Sequence, residues 1–588
     1  MNRLFTGRFS NYSLLKLQKD MLSGVIVGVI AIPLAMAFAI ASGVKPEYGI
    51  YTACIAGILI SLFGGSKFQI GGPTGAFVPI LFGIVITYGY TDLLLAGFLA
   101  GIMLVLMGVF KVGSFIKFIP RPVTIGFTAG IAVLIFTGQI ENFFGLTGIE
   151  KHEKFIDNMQ EIVLHMNSLN GYSIAIALTS LTIILLTPKF LPKIPGSLVG
   201  LVLTTVLASL ILSGHIETIG SRFGAIPSEL PHFQFPEITW ERVQRLLVPA
   251  FVIASLGGIE SLLSAVVADG MTNSKHNSNR ELVGQGIANI ITPLFGGIPA
   301  TGAIARTATN IKSGATSPVS GIIHGLFVLL TLVVLAPYAS AIPLASMAPV
   351  LMIVAWNMSE RQQVASVLRM KNGDSLVLSV TFLLTVFASI TLAVIVGLIL
   401  AVFLFAKRMS NLLVVSKVLP DHTTMNETVQ SDVVNVAHDC PQLSMYTIEG
   451  PLFFGAAQVF EQRIMDTLHY QSNVLLLRMG NVPYIDATGE ANLRSIVVHF
   501  QQQGGIILVS GISDSLLTTL QNSGLYDMIG PTHFFNHTGE AITYGLHLID
   551  CQKCLGCTHF AFHECTCLSA EGRLPKSNDA TKTAHLLK

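Results

Sequence analysis

The sequence predicts a polytopic α-helical membrane protein of about fourteen spans, followed by a small soluble α/β domain. Composition is the first reason. Of 588 residues, 51% are hydrophobic and only 11% charged, with a mean hydropathy of +0.66, whereas soluble domains run at about 25% charged. The second reason is that residues 21–408 are almost continuously apolar, broken only by Gly, Pro and short basic loops. The third is a change near residue 430, after which apolar runs shorten and alternate with polar helical patterns. A formal net charge of +1 gives no reason to expect a nucleic-acid partner.

The apolar runs divide into spans at 21–42, 48–64, 74–88, 93–111, 122–142, 171–187, 197–213, 247–268, 283–295, 302–313, 317–338, 342–357, 375–390 and 391–408. The third and tenth are too short to cross alone and read as half-helices. Met1 to Lys19 is polar and basic, and the run after it is long enough to span, so this span is expected to be retained rather than cleaved. With Arg3, Arg8, Lys16 and Lys19 placed in the cytoplasm, the inside loops carry Lys67, then Lys111, Lys117 and Arg121, then Lys189 and Lys193. Further on they carry Lys275 and Arg280, Lys312, then Arg361, Arg369 and Lys371, and finally Lys407 and Arg408. Outside loops are nearly uncharged or acid-rich, as at 141–161, with Lys45, Lys151, Lys154, Arg222, Arg242 and Arg245 as exceptions. This positive-inside pattern requires an even number of spans and puts both termini in the cytoplasm.

The expected domains are a cytoplasmic N-terminus at 1–20, a transmembrane domain at 21–410, an α/β domain at 430–550 and a disordered Cys/His-rich tail at 551–588. In the α/β domain, Val433 to Val436, Val474 to Leu477 and Ile506 to Val509 read as strands. Helical patterns fill 455–468, 489–503 and 514–522, and the alternation implies a small α/β fold.

Two of the spans are broken in the same way. Gly71-Gly72-Pro73-Thr74-Gly75-Ala76 opens the third, and Gly296-Gly297-Ile298-Pro299-Ala300-Thr301-Gly302-Ala303 opens the tenth. A matched pair of Gly/Pro-interrupted segments in two successive halves points to the substrate site of a transporter built from inverted repeats. A helix that starts inside the membrane aims unsatisfied N–H groups and partial positive charge at the midplane, so two such starts facing each other make an anion site. The competing reading is that these small residues serve only close helix packing.

Few charges lie at membrane depth. Glu260, in the eighth span, is the foremost, because a carboxylate there is costly and functional by default. Ser264 is one turn further on the same face. Glu260 is suited to exchange a proton or, ionised, to hold a cation; the alternative is a carboxylate that only locks helices together. Arg306 follows the second break by one turn and offers fixed positive charge to an anion, a pairing with Glu260, or a bridge between helices. His324 reads as a packing histidine. The chain has no Gly-Lys dipeptide and so no Walker A loop of the usual form, which argues against direct ATP-driven transport.

The seven cysteines are Cys54, Cys440 and five between Cys551 and Cys567, a pattern of a reducing compartment rather than of a secreted disulfide scaffold. Cys551, Cys554, Cys557, Cys565 and Cys567, with His559 and His563, are zinc-ligand types in plausible density. Their spacing matches no strong zinc module, and a thiol-rich tail without fixed metal is the competing reading. No catalytic constellation appears, so no enzyme is read here.

Three stretches then carry a family resemblance. They are Ile32-Pro33-Leu34-Ala35-Met36-Ala37-Phe38-Ala39; Glu260-Ser261-Leu262-Leu263 through Asp269 and on from Asn279 to Asn289; and Thr301 to Ala308 with Ser313-Gly314-Ala315. The chain resembles the SulP family of sulfate-permease-type anion transporters over nearly its whole length. Its soluble domain resembles the STAS domain through Gly450-Pro451-Leu452-Phe453-Phe454-Gly455 and Ile485-Asp486-Ala487-Thr488-Gly489.

The resemblance implies a seven-plus-seven inverted repeat split into core and gate domains, an elevator-like movement of the core, and a homodimer in a bacterial cytoplasmic membrane. It implies sulfate, bicarbonate, chloride or a small dicarboxylate as substrate, and no cofactor beyond a co-transported proton or sodium ion. The site residues it implies are Phe38, Thr74, Gly75, Ala76, Thr301, Gly302, Ala303 and Arg306 for the anion, and Glu260 with Ser264 for the coupling ion. Leu34 stands where many sulfate-type members have Gln, which is nearer to the bicarbonate-type bacterial members. Glu260 stands where sodium-coupled bicarbonate carriers have Asp, which favours protons. Ala487 stands where anti-anti-sigma relatives carry a phosphorylated Ser, leaving Thr488 as a substitute. The alternatives are an uncoupled anion exchanger or channel, a dicarboxylate transporter and a nucleobase permease; the STAS-like domain and Arg306 argue against the last. The STAS-like domain is also a candidate to recruit a regulatory protein or nucleotide.

Overall fold

The computed structural model describes residues 12–114, 120–191, 195–212, 214–420, 429–430, 434, 438–455, 460–464 and 472–574. Arg3, Arg8, Lys117 and Lys193 lie outside the described residues, as do most of the strand expected at 433–436 and much of the helix expected at 455–468. The chain divides into two compact units, Met1–Ala401 and Val402–Lys588.

In the first unit the principal helices are α1 (Leu14–Ala41), α2 (Pro46–Phe63), α3 (Val78–Tyr88), α4 (Tyr90–Val109), α5 (Arg121–Gly138), α6 (Gly171–Phe190) and α7 (Gly196–Ile211). They continue with α8 (Trp240–Thr272), α9 (Ser278–Leu294), α10 (Ile304–Lys312), α11 (Val319–Ala339), α12 (Leu344–Met358) and α13 (Gly373–Phe387), and α14 (Ile390–Ser410) runs across the boundary at Ala401. Among the described residues, eight helices are long and apolar enough to cross a membrane, and Gly75–Tyr88, Gly196–Ile211 and Gly373–Phe387 are shorter apolar helices.

Local chemistry sets several starts. Ser13 caps α1 by accepting the Lys16 N–H at 3.3 Å, so the helix begins inside the stretch expected to be an N-terminal segment. Thr239 caps α8 and Asn277 caps α9 in the same way. Pro46 opens α2, where its missing N–H is one of the orphan donors.

The helices pack in two groups. In one, α4 lies on α9, α1 on α11, and α2 against both α9 and α11, with α8 beside α4 and α10. In the other, α5 packs on α13 and α12, and α6 on α7 and α12. One close approach is at Gly101 of α4 and Gly286 of α9. A Cβ on Gly101 would lie 2.8 Å from the Gly286 carbonyl oxygen, and one on Gly286 would lie 2.6 Å from the Gly101 oxygen. Only glycine lets these two backbones meet.

The second unit holds a five-stranded sheet in the order β3 (Val414–Lys417), β4 (Leu443–Glu449), β5 (Val474–Asn481), β6 (Ile506–Ser510), β7 (Phe534–Phe535). The β3–β4 pair is antiparallel and the others parallel. Period-two alternation sends Leu475, Leu477 and Val509 to one face, against Leu493 and Val497 of α15 (Ala487–Gln502). Val474, Leu476 and Leu508 go to the other, against Ala541 and Ile542 of α16 (Thr538–Leu548). Strand β4 escaped the sequence reading because it is buried along nearly its whole length and carries Ser444 and Thr447 inside, so it lacks an apolar signature.

One expectation is corrected here. The tail is not disordered through residue 574: Cys551–Cys554 forms a 3₁₀ turn, Cys565–Glu571 forms helix α17, and Ala561, Phe562 and Leu568 are buried against the β5–β6 face. Scattered apolar side chains among many cysteines hid this packing. Residues 575–588 lie outside the described residues.

Candidate functional site

The two Thr-Gly-Ala breaks meet. Gly71–Gly72 (β1) and Thr301–Gly302 (β2) pair antiparallel, Gly71 opposite Gly302 and Gly72 opposite Thr301. The Ala303 N–H donates to the Ile70 carbonyl at 2.9 Å, and the Ile70 N–H donates to Thr307 Oγ1 at 3.1 Å. This short ladder satisfies backbone groups that would otherwise be orphaned inside the membrane. From it the chain enters a 3₁₀ turn at Gly75–Phe77 and then α3 on one side, and α10 on the other. Thr74 and Ala303 occupy the N-cap positions, and neither side chain caps its own helix. Both helix starts therefore keep first-turn N–H groups and partial positive charge.

Side chains of α8 divide between the two breaks. Thr74 Oγ1 donates to Glu260 Oε2 at 2.9 Å, tying the carboxylate to the first break. Ser261 Oγ lies 2.7 Å from Thr301 Oγ1 and accepts the Gly302 N–H at 3.0 Å, while Thr301 Oγ1 also reaches the Gly257 carbonyl at 3.1 Å. Ser264 does not join Glu260; its hydroxyl donates to Thr307 Oγ1 at 3.2 Å. The second break has further clamps. Asn289 of α9 both accepts from and donates to the Ala300 backbone at 2.8 Å, and Thr52 donates to the Ile298 carbonyl at 3.0 Å.

Arg306 is 4% exposed, and its guanidinium donates to the Pro73 carbonyl, so α10 braces the first break from behind. Its Nη1 lies where a Cβ on Gly72 would come within 2.5 Å, which accounts for glycine there. Arg306 and Glu260 are close enough to interact electrostatically, although no ion pair within 4.0 Å joins them among the described residues. Phe38 lies against the first break: a Cβ on Gly75 would meet its Cε1 at 3.4 Å, with Met358 Sδ at 2.9 Å and Ile135 Cδ1 at 3.3 Å on the other side. Ala76 and Ala303 are buried at the two starts.

A cavity of about 620 Å³ reaches Val78 and Pro79 at the start of α3, with Ile40, Ile135 and Thr385 among its walls and Glu141, Lys151, Glu153 and Arg245 around it. No residue of either break lines it, nor do Phe38, Glu260 or Arg306.

Sequence reasoning missed Ser261, Asn289, Thr52 and Gln69. Ser261 and Asn289 stood in the stretches that carried the resemblance but had no role; nothing local distinguishes Thr52. Gln69 is 4% exposed, and neither its amide oxygen nor its nitrogen has a hydrogen-bond partner among the described residues. His324 is fully buried against Gly57 of α2, and neither ring nitrogen has a hydrogen-bond partner among the described residues.

In the second unit, no group of three or more His, Cys, Asp or Glu side chains stands arranged to hold a metal ion among the described residues. Cys554, Cys557 and Cys565 share the walls of a small cavity with Cys440, whereas Cys551 and Cys567 do not line it. Burial pushes the Cys565 thiol up to about 11 and raises the Cys440 and Cys554 thiols as well.

Residues 17–381 match the family model "Sulfate permease family", and residues 434–541 match the "STAS domain" model. The chain is 54% identical over 536 residues to the Bacillus subtilis protein named "Putative sulfate transporter YvdB", covering 91% of this chain and 99% of that one. It is 28% identical over 555 residues to "Bicarbonate transporter BicA" of a Picosynechococcus strain, covering 89% and 94%. The solved transmembrane domain of a cyanobacterial BicA superposes with a TM-score of 0.59 at 32% identity, over 66% of this chain and 98% of that one. Murine Slc26a9, an anion transporter solved in an inward-facing state, shares the fold with a TM-score of 0.82 at 18% identity, over 92% of each chain.

Proposed function

This chain belongs to the sulfate permease family, whose members are transporters and not enzymes, and on that premise we propose that it is a secondary active anion transporter. The anion, sulfate or bicarbonate, sits between the starts of α3 and α10, and Glu260 carries the coupling proton or organises a sodium site. The observation that carries this reading is the Thr74–Glu260 hydrogen bond, which fastens an intramembrane carboxylate to one of two facing helix starts.

The charges explain the coupling. Two helix starts and Arg306 favour an anion, and an ionised Glu260 opposes it. Like unit charges about 5 Å apart, at an effective dielectric of about 20, repel by about 3 kcal/mol. Neutralising Glu260 with a proton or sodium ion removes that repulsion, so cation and anion enter together and leave together. The cavity that reaches α3 supplies an entry path. Phe38 and Gly75 on one helix group face Met358 and Ile135 on the other, as an elevator requires when α1–α4 with α8–α11 slide past α5–α7 with α12–α14. We read these groups as core and gate of a seven-plus-seven inverted repeat in a bacterial cytoplasmic membrane. Both termini lie in the cytoplasm, two copies associate, and the STAS domain receives a regulatory protein. No resident cofactor takes part.

The test is uptake of radiolabelled sulfate and bicarbonate into proteoliposomes under an imposed proton gradient and then an imposed sodium gradient. One anion should follow one gradient, and Glu260→Gln should lose at least about tenfold of that driven uptake, the equivalent of about 1.4 kcal/mol. Uptake indifferent to both gradients would instead mean an exchanger or channel. If neither anion moves, small dicarboxylates are the next substrates to test.

A further inference from the structure

The cavity of about 620 Å³ and the Thr74–Glu260 pair lie along the same two helices. α3 and α8 face each other in opposite directions, and three contacts fix their register. The Arg245 guanidinium stands over the Tyr88 ring at 5.6 Å from its centroid, Phe77 meets α8 at Gly257, and Thr74 Oγ1 donates to Glu260 Oε2 at 2.9 Å. These are successive rungs, descending towards the start of α3 as they advance along α8.

The cavity occupies the space from the first rung to just short of the second. On α3 its wall runs from Tyr88 to Val78, and on α8 it holds Arg245, Val248, Pro249 and Val252. Neither Phe77 nor Gly257 lines it. Glu260 is only partly buried, yet it does not line the cavity either, so its exposed surface opens elsewhere.

Phe77 stands at the rung between. It is 1% exposed, and a Cβ on Gly257 would lie 3.1 Å from its Cζ and 3.9 Å from its Cε1. The ring therefore points tip-first at bare α8 backbone, with buried Leu256 and Phe38 in the same apolar cluster. At 1.5 Å per residue, Gly257 stands about 7 Å beyond Val252 and about 4.5 Å short of Glu260 along α8. A hydrocarbon ring offers an anion or a proton no polar partner, so while it stays there it keeps cavity water from the carboxylate.

The turn that carries this ring also carries the site threonine. Thr74 precedes the 3₁₀ turn Gly75–Phe77, and the Phe77 N–H donates to the Thr74 carbonyl at 3.3 Å. A shift of Thr74 is thereby passed to Phe77 within one turn.

From these rungs we infer that Phe77 is the gating residue between the cavity and the anion site: its ring against Gly257 is the barrier, and an ion moving from one to the other has to displace it. The gating role rests on the transport reading, whereas the barrier rests on packing alone.

A membrane-impermeant, water-soluble carbodiimide with glycine ethyl ester labels carboxyl groups that water reaches, and peptide mass spectrometry reads each one. The full-length protein is labelled in intact cells and in inverted vesicles. Glu153, exposed at the cavity, marks the preparation whose cavity faces the reagent. In that preparation Glu153 should label equally in wild type and variants, and Glu260 should label at least about tenfold faster in Phe77→Ala than in wild type. Phe77→Leu keeps the apolar contact but loses the ring tip; it should raise Glu260 labelling at least about threefold, and it carries the test if the alanine variant does not fold. Phe127→Leu, the same truncation elsewhere in that core, should leave Glu260 labelling at the wild-type rate. Unchanged Glu260 labelling in a folded Phe77 variant overturns the inference, and so does an equal rise in Phe127→Leu. Labelling requires no transport. A rise confined to Phe77 variants of a protein that moves no anion supports the barrier and sinks the transport reading, whereas unchanged labelling in a protein that transports sinks the gate alone.

Discussion

The two breaks share Thr-Gly-Ala yet are held in opposite ways. The second is locked from three sides: Ser261 on Thr301 and Gly302, Asn289 on Ala300, and Thr52 on Ile298. The first is held by Arg306 at Pro73, and its threonine hydroxyl goes to Glu260. The large cavity is lined by neither break; it begins at Val78 and Pro79, in the first turn of α3. The difference teaches that a repeated motif need not have repeated work. Here one copy is an anvil fixed in its helix group, and the other is the contact to the carboxylate, where we propose that the anion binds.

Changes matched across the breaks sharpen this contrast. The largest effect is expected from glycine replacement. A Cβ on Gly302 would overlap Gln69 Nε2 and lie 2.6 Å from its Cδ, and buried Gln69 has no solvent to swing into. Gly302→Ala should destabilise the protein by about 3 kcal/mol or more, read as a lower thermal midpoint in detergent. Gly75→Ala meets nothing nearer than Met358 Sδ at 2.9 Å, with Ile135 and Phe38 at 3.3 and 3.4 Å, and should lose less stability than Gly302→Ala while raising KM for the anion. Equal loss of stability in both would break the comparison.

The threonines come next. Thr301→Val leaves Ser261 and the Gly257 carbonyl short of a partner and should cost about 1–3 kcal/mol of stability, with transport per folded molecule little changed. Thr74→Val should reverse that pattern: the thermal midpoint holds while gradient-driven uptake falls roughly tenfold or more, as expected for a lost hydrogen bond to a charged group. A thermal shift assay run beside an uptake assay separates the two.

Arg306→Lys is the mildest change. It keeps the charge but gives up the planar fork that reaches the Pro73 carbonyl, so a rise in KM of roughly fivefold, about 1 kcal/mol, is expected from substrate titration. An unchanged KM would confine Arg306 to a structural brace.

The sequence disclosed the breaks because Gly and Pro interrupt apolar runs that are otherwise too regular to overlook, and it disclosed Glu260 because charge is scarce at that depth. Their meeting was not legible. A two-residue strand pairing positions 71 and 302 leaves no periodic trace, and only tertiary contact decides that Ser261, rather than Ser264, faces the second break. The same holds for Cys440, whose neighbours lie more than a hundred residues away and which alone looks like any buried thiol.

The most direct measurement of the central claim is a double-mutant cycle of Thr74→Val and Glu260→Gln on gradient-driven anion uptake. If the hydroxyl acts through the carboxylate, the double variant should transport no worse than Glu260→Gln alone, leaving a coupling energy of about 1.5–3 kcal/mol. Losses that simply multiply would show that the two residues act separately, and would contradict the first break as the link between anion and coupling ion.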